Sequence, residues 1–205
     1  MPVPERSEFL RLAQEGNLIP VYEELLADLE TPVSVLGKLG TESNTFLLES
    51  VSDGEHLGRH SFIGHNPFFI LRSRGSRVWL EHGERSIQRE LHPGESPLDV
   101  VRELLSGYHP VAVEGLPRFT GGAVGYVGYD TVRFFERLPD APSDDLGLPD
   151  VLLMGADELV IFDKDDTVPA RLDIGAQQRR VHLVGLTLAR AVDQKLGAVG
   201  ELDVG

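Results

Sequence analysis

The sequence predicts an α+β fold, a mainly antiparallel β-sheet lobe with flanking helices, and three observations carry that expectation. From Thr45 onward, short runs of branched and aromatic residues follow the period of strands. Gly54, Gly58, Gly64, Gly75 and Gly83 separate these runs at intervals too short for crossover helices, which favours hairpins. Helix-start chemistry stands apart from them, at Ser7, at Thr31-Pro32 and at Ser96-Pro97.

In chain order, Ser7 is placed to cap a short helix through Phe9, Leu10, Leu12 and Ala13, closed by Gly16. Ile19-Pro20-Val21-Tyr22 reads as an edge strand, because Pro20 has no N–H to give a central ladder. Thr31-Pro32 opens a second helix with Val35, Leu36 and Leu39 as its apolar stripe. Strands follow at Phe46-Leu47-Leu48-Glu49, Ser61-Phe62-Ile63, Phe68-Phe69-Ile70-Leu71, Arg77-Val78-Trp79-Leu80 and 87–91. Ser96-Pro97-Leu98-Asp99 is a capping-box variant that starts a helix burying Val100, Val101, Leu104 and Leu105. Val151-Leu152-Leu153-Met154 and Glu158-Leu159-Val160-Ile161-Phe162 read as strands, and 170–174 as another. The spacing of Val181, Val184, Leu188 and Val192 predicts a helix over 177–196, and 197–205 reads as a linker.

With 205 residues, of which 41% are hydrophobic and 25% charged, the chain suits one globular domain or large lobe, drawn here as 1–196. Its formal net charge of −14 repels phosphate backbones and anionic lipid, so neither nucleic acid nor membrane is an expected partner. An anionic metabolite would need a local cluster of Arg or Lys. The absence of cysteine removes disulfides and thiol chemistry and, with no apolar leader after Met1, makes a cytoplasmic location the expectation.

Several tempting signals reduce to structure. Gly122, Gly125 and Gly128 are spaced G-x-x-G-x-x-G without a βαβ unit, so they read as places where a strand bends or another backbone approaches. His56, His60 and His65 lack the fixed third ligand of a zinc site. Asp140, Asp144 and Asp145 surround Pro142 without calcium-loop periodicity, and Asp163, Asp165 and Asp166 read as a turn. No catalytic or metal-binding residue is expected in this chain.

Taken in order, Gly16-Asn17-Leu18-Ile19-Pro20-Val21-Tyr22, Asp28-Leu29-Glu30-Thr31-Pro32-Val33-Ser34, Phe46-Leu47-Leu48-Glu49-Ser50, Gly58-Arg59-His60-Ser61-Phe62-Ile63-Gly64 and Pro117 through the Gly121-Gly122-Ala123-Val124-Gly125-Tyr126-Val127-Gly128-Tyr129-Asp130 run resemble the N-terminal region of anthranilate synthase component I. Arg133, Glu136, Leu138-Pro139, Pro149-Asp150 and Leu159-Val160-Ile161-Phe162-Asp163 continue the pattern, with His60 where the family usually has Tyr and Lys164 where a His often follows. The resemblance implies the N-terminal half of a two-lobed β-sandwich whose whole enzyme converts chorismate and ammonia to anthranilate and pyruvate, with feedback inhibition by tryptophan. It implies a tryptophan site at Leu48, Glu49 and Ser50, with Arg59 toward the ligand carboxylate. An ionised Glu49 suits an ammonium group, while Leu47, Leu48 and Phe62 cannot all line one slot because strand neighbours alternate faces. The partners implied are a glutamine amidotransferase subunit (component II) and a chorismate-binding C-terminal half that holds Mg2+. The chain alone is then a fragment without turnover. An aminodeoxychorismate synthase fragment and a non-enzymatic amino-acid-binding or interaction module are the alternatives.

Overall fold

The computed structural model describes residues 2–40, 44–49, 59–140 and 143–163, together with the backbone of Arg180–Leu188. In chain order the elements are α1 (Arg6–Leu12), β1 (Leu18–Leu26), α2 (Pro32–Leu39), β2 (Phe46–Glu49), β3 (His60–Gly64), β4 (Phe69–Arg74), β5 (Arg77–His82), β6 (Arg85–Glu90), α3 (Pro97–Leu105), β7 (Gly122–Val127), a 3-10 turn (Tyr129–Phe134), β8 (Val151–Ala156), β9 (Glu158–Asp163) and β10 (Arg180–Leu188). They form two compact units. The α+β class with antiparallel pairing is what the sequence predicts.

The first unit draws on Met1–Pro67, Pro110–Gly122 and Ala156–Leu188. Its five-stranded sheet has the order β1-β10-β9-β3-β2. Pro20 sits on β1 at the edge, where its missing N–H costs the ladder nothing. Thr31 caps α2 as expected: its hydroxyl accepts from Ser34 N at 3.1 Å, and Ser34 Oγ accepts from Thr31 N at 2.9 Å. The apolar stripe of α2, Val35 and Leu36, packs with Leu47 onto buried Ala27, Ile63, Val160 and Phe162. A second cluster joins Leu12 of α1 to Ile19 and Val111. Each such side chain, fully buried, contributes roughly 1.5–3 kcal/mol.

The second unit, from Phe68–His109 and Ala123–Gly155, carries a sheet of order β6-β5-β4-β8-β7. Alternation divides this sheet into two faces. Phe69, Leu71, Val78, Leu80 and Val151 form one buried face, on which α3 lays Val100 and Leu104, one helical turn apart. On the opposite face Arg72 bonds Glu81 at 2.5 Å, Trp79 Nε1 donates to Gln88 at 3.0 Å and Arg77 bonds Glu90 at 3.0 Å. At the start of α3 the Asp99 carboxylate accepts from both Ser96 N (2.9 Å) and Ser96 Oγ (2.7 Å). Those two bonds, with the Arg102 guanidinium, push the Asp99 carboxyl down to about 2.

The glycine-rich run becomes β7, and its glycines do what the sequence suggests. A Cβ on Gly125 would stand 1.9 Å from Leu152 O, and one on Gly128 would stand 3.0 Å from Asp150 O. Asp150 ties the neighbourhood together: its carboxylate accepts from Gly75 N at 2.7 Å, its N–H donates to Ser73 O and its carbonyl accepts from Gly128 N.

Two expectations are corrected. The segment 177–196 does not form a helix across its length, because Arg180–Leu188 is a strand paired with β1 on one side and β9 on the other. The i, i+3, i+7 spacing there coexists with β-branched residues suited to strands, and pairing on both edges decides between them. Ser7 is not the cap of α1 either. The helix begins at Arg6, with Glu5 in the cap position and no side-chain bond, and ends at Leu12, so Ser7 lies within the first turn and Gly16 beyond the end. The strand expected at 170–174 and the linker at 197–205 lie outside the described residues.

Candidate functional site

The short strand β2 is an edge strand of the first unit, and its register on β3 decides where each candidate side chain points. Phe46, Leu47, Leu48 and Glu49 stand opposite Gly64, Ile63, Phe62 and Ser61. Directly opposed residues share a face, and successive residues alternate. Leu47 therefore belongs to the α2 core with Ile63. Leu48 shares the other face with Phe62.

That face has an aromatic floor. Phe62 meets Phe119 edge-to-face with ring centroids 5.3 Å apart, and the His60 ring lies 6.0 Å from that of Phe62. Phe46 covers Gly64 so closely that a Cβ there would be 2.3 Å from its ring. Leu48, exposed at the strand end, borders the half-buried Phe62. The fork seen in the sequence, that Leu47, Leu48 and Phe62 cannot all line one slot, resolves with Leu48 and Phe62 together and Leu47 in the core.

Glu49 turns to the opposite side from Leu48, where Ser61 Oγ donates to its Oε1 at 3.3 Å. Leu48 and Glu49 thus flank the end of an edge strand rather than sharing one wall. A ligand meeting both must sit across that strand end, with its apolar part on the Phe62 side and its cation on the Ser61 side. Ser50 lies outside the described residues.

Arg59 is held by a partner 104 residues away. Its Nε and Nη2 donate to the two carboxylate oxygens of Asp163 at 2.7 and 2.6 Å, a bidentate fork across the ends of β3 and β9. Asp163 is also the cross-strand partner of both His60 and Arg180, and His60 Nε2 lies 3.9 Å from its Oδ1. A carboxylate so placed fixes the direction of the guanidinium, so any anion drawn to Arg59 meets a group already oriented. Asp163, which the sequence offers as part of a turn, instead ends β9 as a paired residue. Strand alternation singles out Ser61 once the register is known, whereas nothing local to Arg59 points to Asp163.

Elsewhere in the same unit a groove of about 470 Å³ runs between α1 and 112–114. Its walls include Glu5, Glu8 and Glu114, and its cation Arg11 bonds Glu8 at 2.7 Å and Glu15 at 2.5 Å. None of the sequence-derived candidates lines it. Among the described residues no group of three His, Cys, Asp or Glu is placed to hold a metal ion. No helix among them is long and apolar enough to cross a membrane.

No protein-family model matches the chain. Among curated proteins it is 47% identical over 161 residues to anthranilate synthase component 1 of Pseudomonas putida. It is 42% identical over 165 residues to that of Synechocystis sp. and 39% identical over 160 to that of Acetivibrio thermocellus. These matches take in 77–78% of this chain and 32% of each relative, so the chain spans about a third of the length of the curated relatives it matches. A solved structure of anthranilate synthase component I from Streptococcus pneumoniae TIGR4 is 23% identical to it with a TM-score of 0.47, covering 86% of this chain and 35% of that one.

Proposed function

Since the chain is a homologue of part of anthranilate synthase component I, we propose that it is the tryptophan-binding regulatory part of such an enzyme, which converts chorismate and ammonia to anthranilate and pyruvate. The reaction itself belongs to the portion of the relatives that this chain does not match. A glutamine amidotransferase subunit supplying the ammonia, and a chorismate-binding half carrying Mg2+, are the partners of this reading.

The observation that carries it is the end of β2, where the Glu49 carboxylate and Ser61 hydroxyl stand on one side of the strand and Leu48 borders Phe62 on the other. An α-ammonium group is recognised by the exposed Glu49 carboxylate, to which buried Ser61 donates, and an indole by Leu48 and Phe62. Arg59, already oriented by Asp163, is the cation nearest in sequence for the ligand carboxylate.

Calorimetric titration of the chain with L-tryptophan tests this reading, with indole-3-propionate, which lacks the ammonium, as the comparison ligand. L-tryptophan binds and indole-3-propionate binds at least tenfold more weakly. Glu49→Gln removes a hydrogen bond to a charged group, worth about 1.5–3 kcal/mol, and so weakens tryptophan roughly tenfold to a hundredfold. Equal affinity of Glu49→Gln and the unaltered chain for tryptophan would overturn the assignment of Glu49.

A further inference from the structure

The face that carries Leu48 and Phe62 ends in a polar cluster. His60 stands two residues before Phe62 on β3 and opposite Asp163 on β9, so alternation puts His60, Phe62, Leu48 and Asp163 on one face. The His60 ring is 6.0 Å from that of Phe62, and its Nε2 lies 3.9 Å from Asp163 Oδ1, the oxygen to which Arg59 Nε donates. One imidazole therefore borders both the aromatic floor and the Arg59–Asp163 fork.

Histidine is the side chain whose ordinary charge change falls between pH 5 and 8. With His60 neutral, the charges of Arg59 and Asp163 cancel. Protonation of His60 leaves these three side chains with a net positive charge, and His60 and Asp163 are mostly buried, so solvent screens that charge less than it would an exposed one. In a chain of net charge −14, a carboxylate approaching this face gains from a local cation. The other ionisable neighbours are Glu49, on the opposite face with Ser61, Arg118, next to Phe119 in the chain, and Arg180 and His182 of β10, in register with Asp163 and Ile161. Of these, only His182 is of a type that ordinarily changes charge between pH 5.5 and 8.

We propose that His60 is a positioning residue of the effector site, whose protonation turns the neutral Arg59–Asp163 pair into a cationic cluster and tightens its hold on the ligand carboxylate. The inference rests on the effector reading of this strand end. Linkage is reciprocal, so the bound carboxylate in turn favours the protonated imidazole.

The test is calorimetric titration with L-tryptophan at several pH values from 8 to 5.5, with tryptamine, which lacks the carboxylate, as the second ligand. For the unaltered chain, affinity for L-tryptophan rises roughly threefold on acidification, the scale of a partly exposed ion pair, whereas tryptamine shows no gain. His60→Gln and His60→Tyr, neither of which changes charge in this range, bind L-tryptophan with a flat profile and unchanged circular dichroism. His182→Gln and His65→Gln, the latter altering a ring 3.7 Å from Glu158 beyond the other end of β3, keep the gain. By reciprocity, saturation with L-tryptophan moves the midpoint of the His60 ring titration, followed by proton NMR, up by about 0.5 pH. L-tryptophan binding whose pH profile is the same in His60→Gln and the unaltered chain overturns the role of His60 and leaves the effector site standing. A gain abolished by His182→Gln instead overturns it too, by moving the titrating group to β10. Absence of L-tryptophan binding at every pH overturns the effector reading and this inference together.

Discussion

Replacing Gly125 by alanine adds one methyl group at the point where two backbones meet. An ideal Cβ there would be 1.9 Å from Leu152 O, 2.9 Å from Leu152 C and 3.0 Å from Leu153 Cα. All three are main-chain atoms of β8, which is also paired with β4, so relief requires a strand to shift rather than a side chain to rotate. Overpacking of this kind costs 1–3 kcal/mol and occasionally more, and a backbone obstacle puts Gly125→Ala at the upper end, about 3 kcal/mol. Trp79, the single tryptophan, lies on β5 of the same sheet, so its fluorescence reports the unfolding of the unit concerned. With a urea dependence of about 2 kcal/mol/M, the midpoint falls by roughly 1.5 M. Gly37→Ala is the matching control. Gly37 lies inside α2 with nothing within 4 Å of an added Cβ, so the methyl meets open space and a better helix former stabilises by about 1 kcal/mol, read by circular dichroism. A Gly125→Ala chain within 0.5 kcal/mol of the parent would refute the argument that this glycine is kept for close approach.

The remaining predictions concern charge. Arg89 donates to both Glu95 oxygens, at 2.8 and 2.6 Å, with both side chains mostly buried. These bonds, with His92 N, hold the Glu95 carboxyl below its ordinary range. Stability from this pair is therefore fully present above the unfolded carboxyl value of about 4.3, and is lost as pH falls through the lower folded value. Arg89→Ala costs about 2 kcal/mol at pH 7 and removes that acid-side slope, which urea titrations between pH 2 and 7 would measure. At the start of α3, Ser96→Ala deletes the hydroxyl bond to Asp99, so the Asp99 carboxyl, held at about 2, rises; carbon-detected NMR titration of Asp99 follows it.

Where local chemistry is complete within a few residues, the sequence is legible. Thr31-Pro32 and Ser96-Pro97 each carry both halves of a cap, and both helices start where the residues say. Ser7 misleads because one capping residue without its N3 partner says little about which backbone turn comes first. At 180–188 the residues alone fit two periods, and only pairing with strands from far along the chain chooses between them. The candidate site divides in the same way. Alternation excludes Leu47 from the slot of Leu48 before any coordinates exist. The partnership of Glu49 with Ser61 rests on a one-residue choice of register, and that of Arg59 with Asp163 on a contact spanning 104 residues.

The glycines of β7 show why one local pattern can have two consequences of opposite kind. Bare backbone at Gly125 lets β7 lie so close to β8 that no side chain fits between them, and this fixes the inner edge of the strand. The same absence of bulk and charge leaves the outer edge without the arginine, proline or carboxylate that the three other edge strands carry. A charge placed at Gly125 itself would protect the outer edge only by destroying the inner contact. Charge can therefore be added to this strand without disturbing its packing only at Tyr126 or Val127, whose side chains are exposed, and Val127→Lys leaves the unfolding free energy within about 0.5 kcal/mol of the parent where Gly125→Ala lowers it.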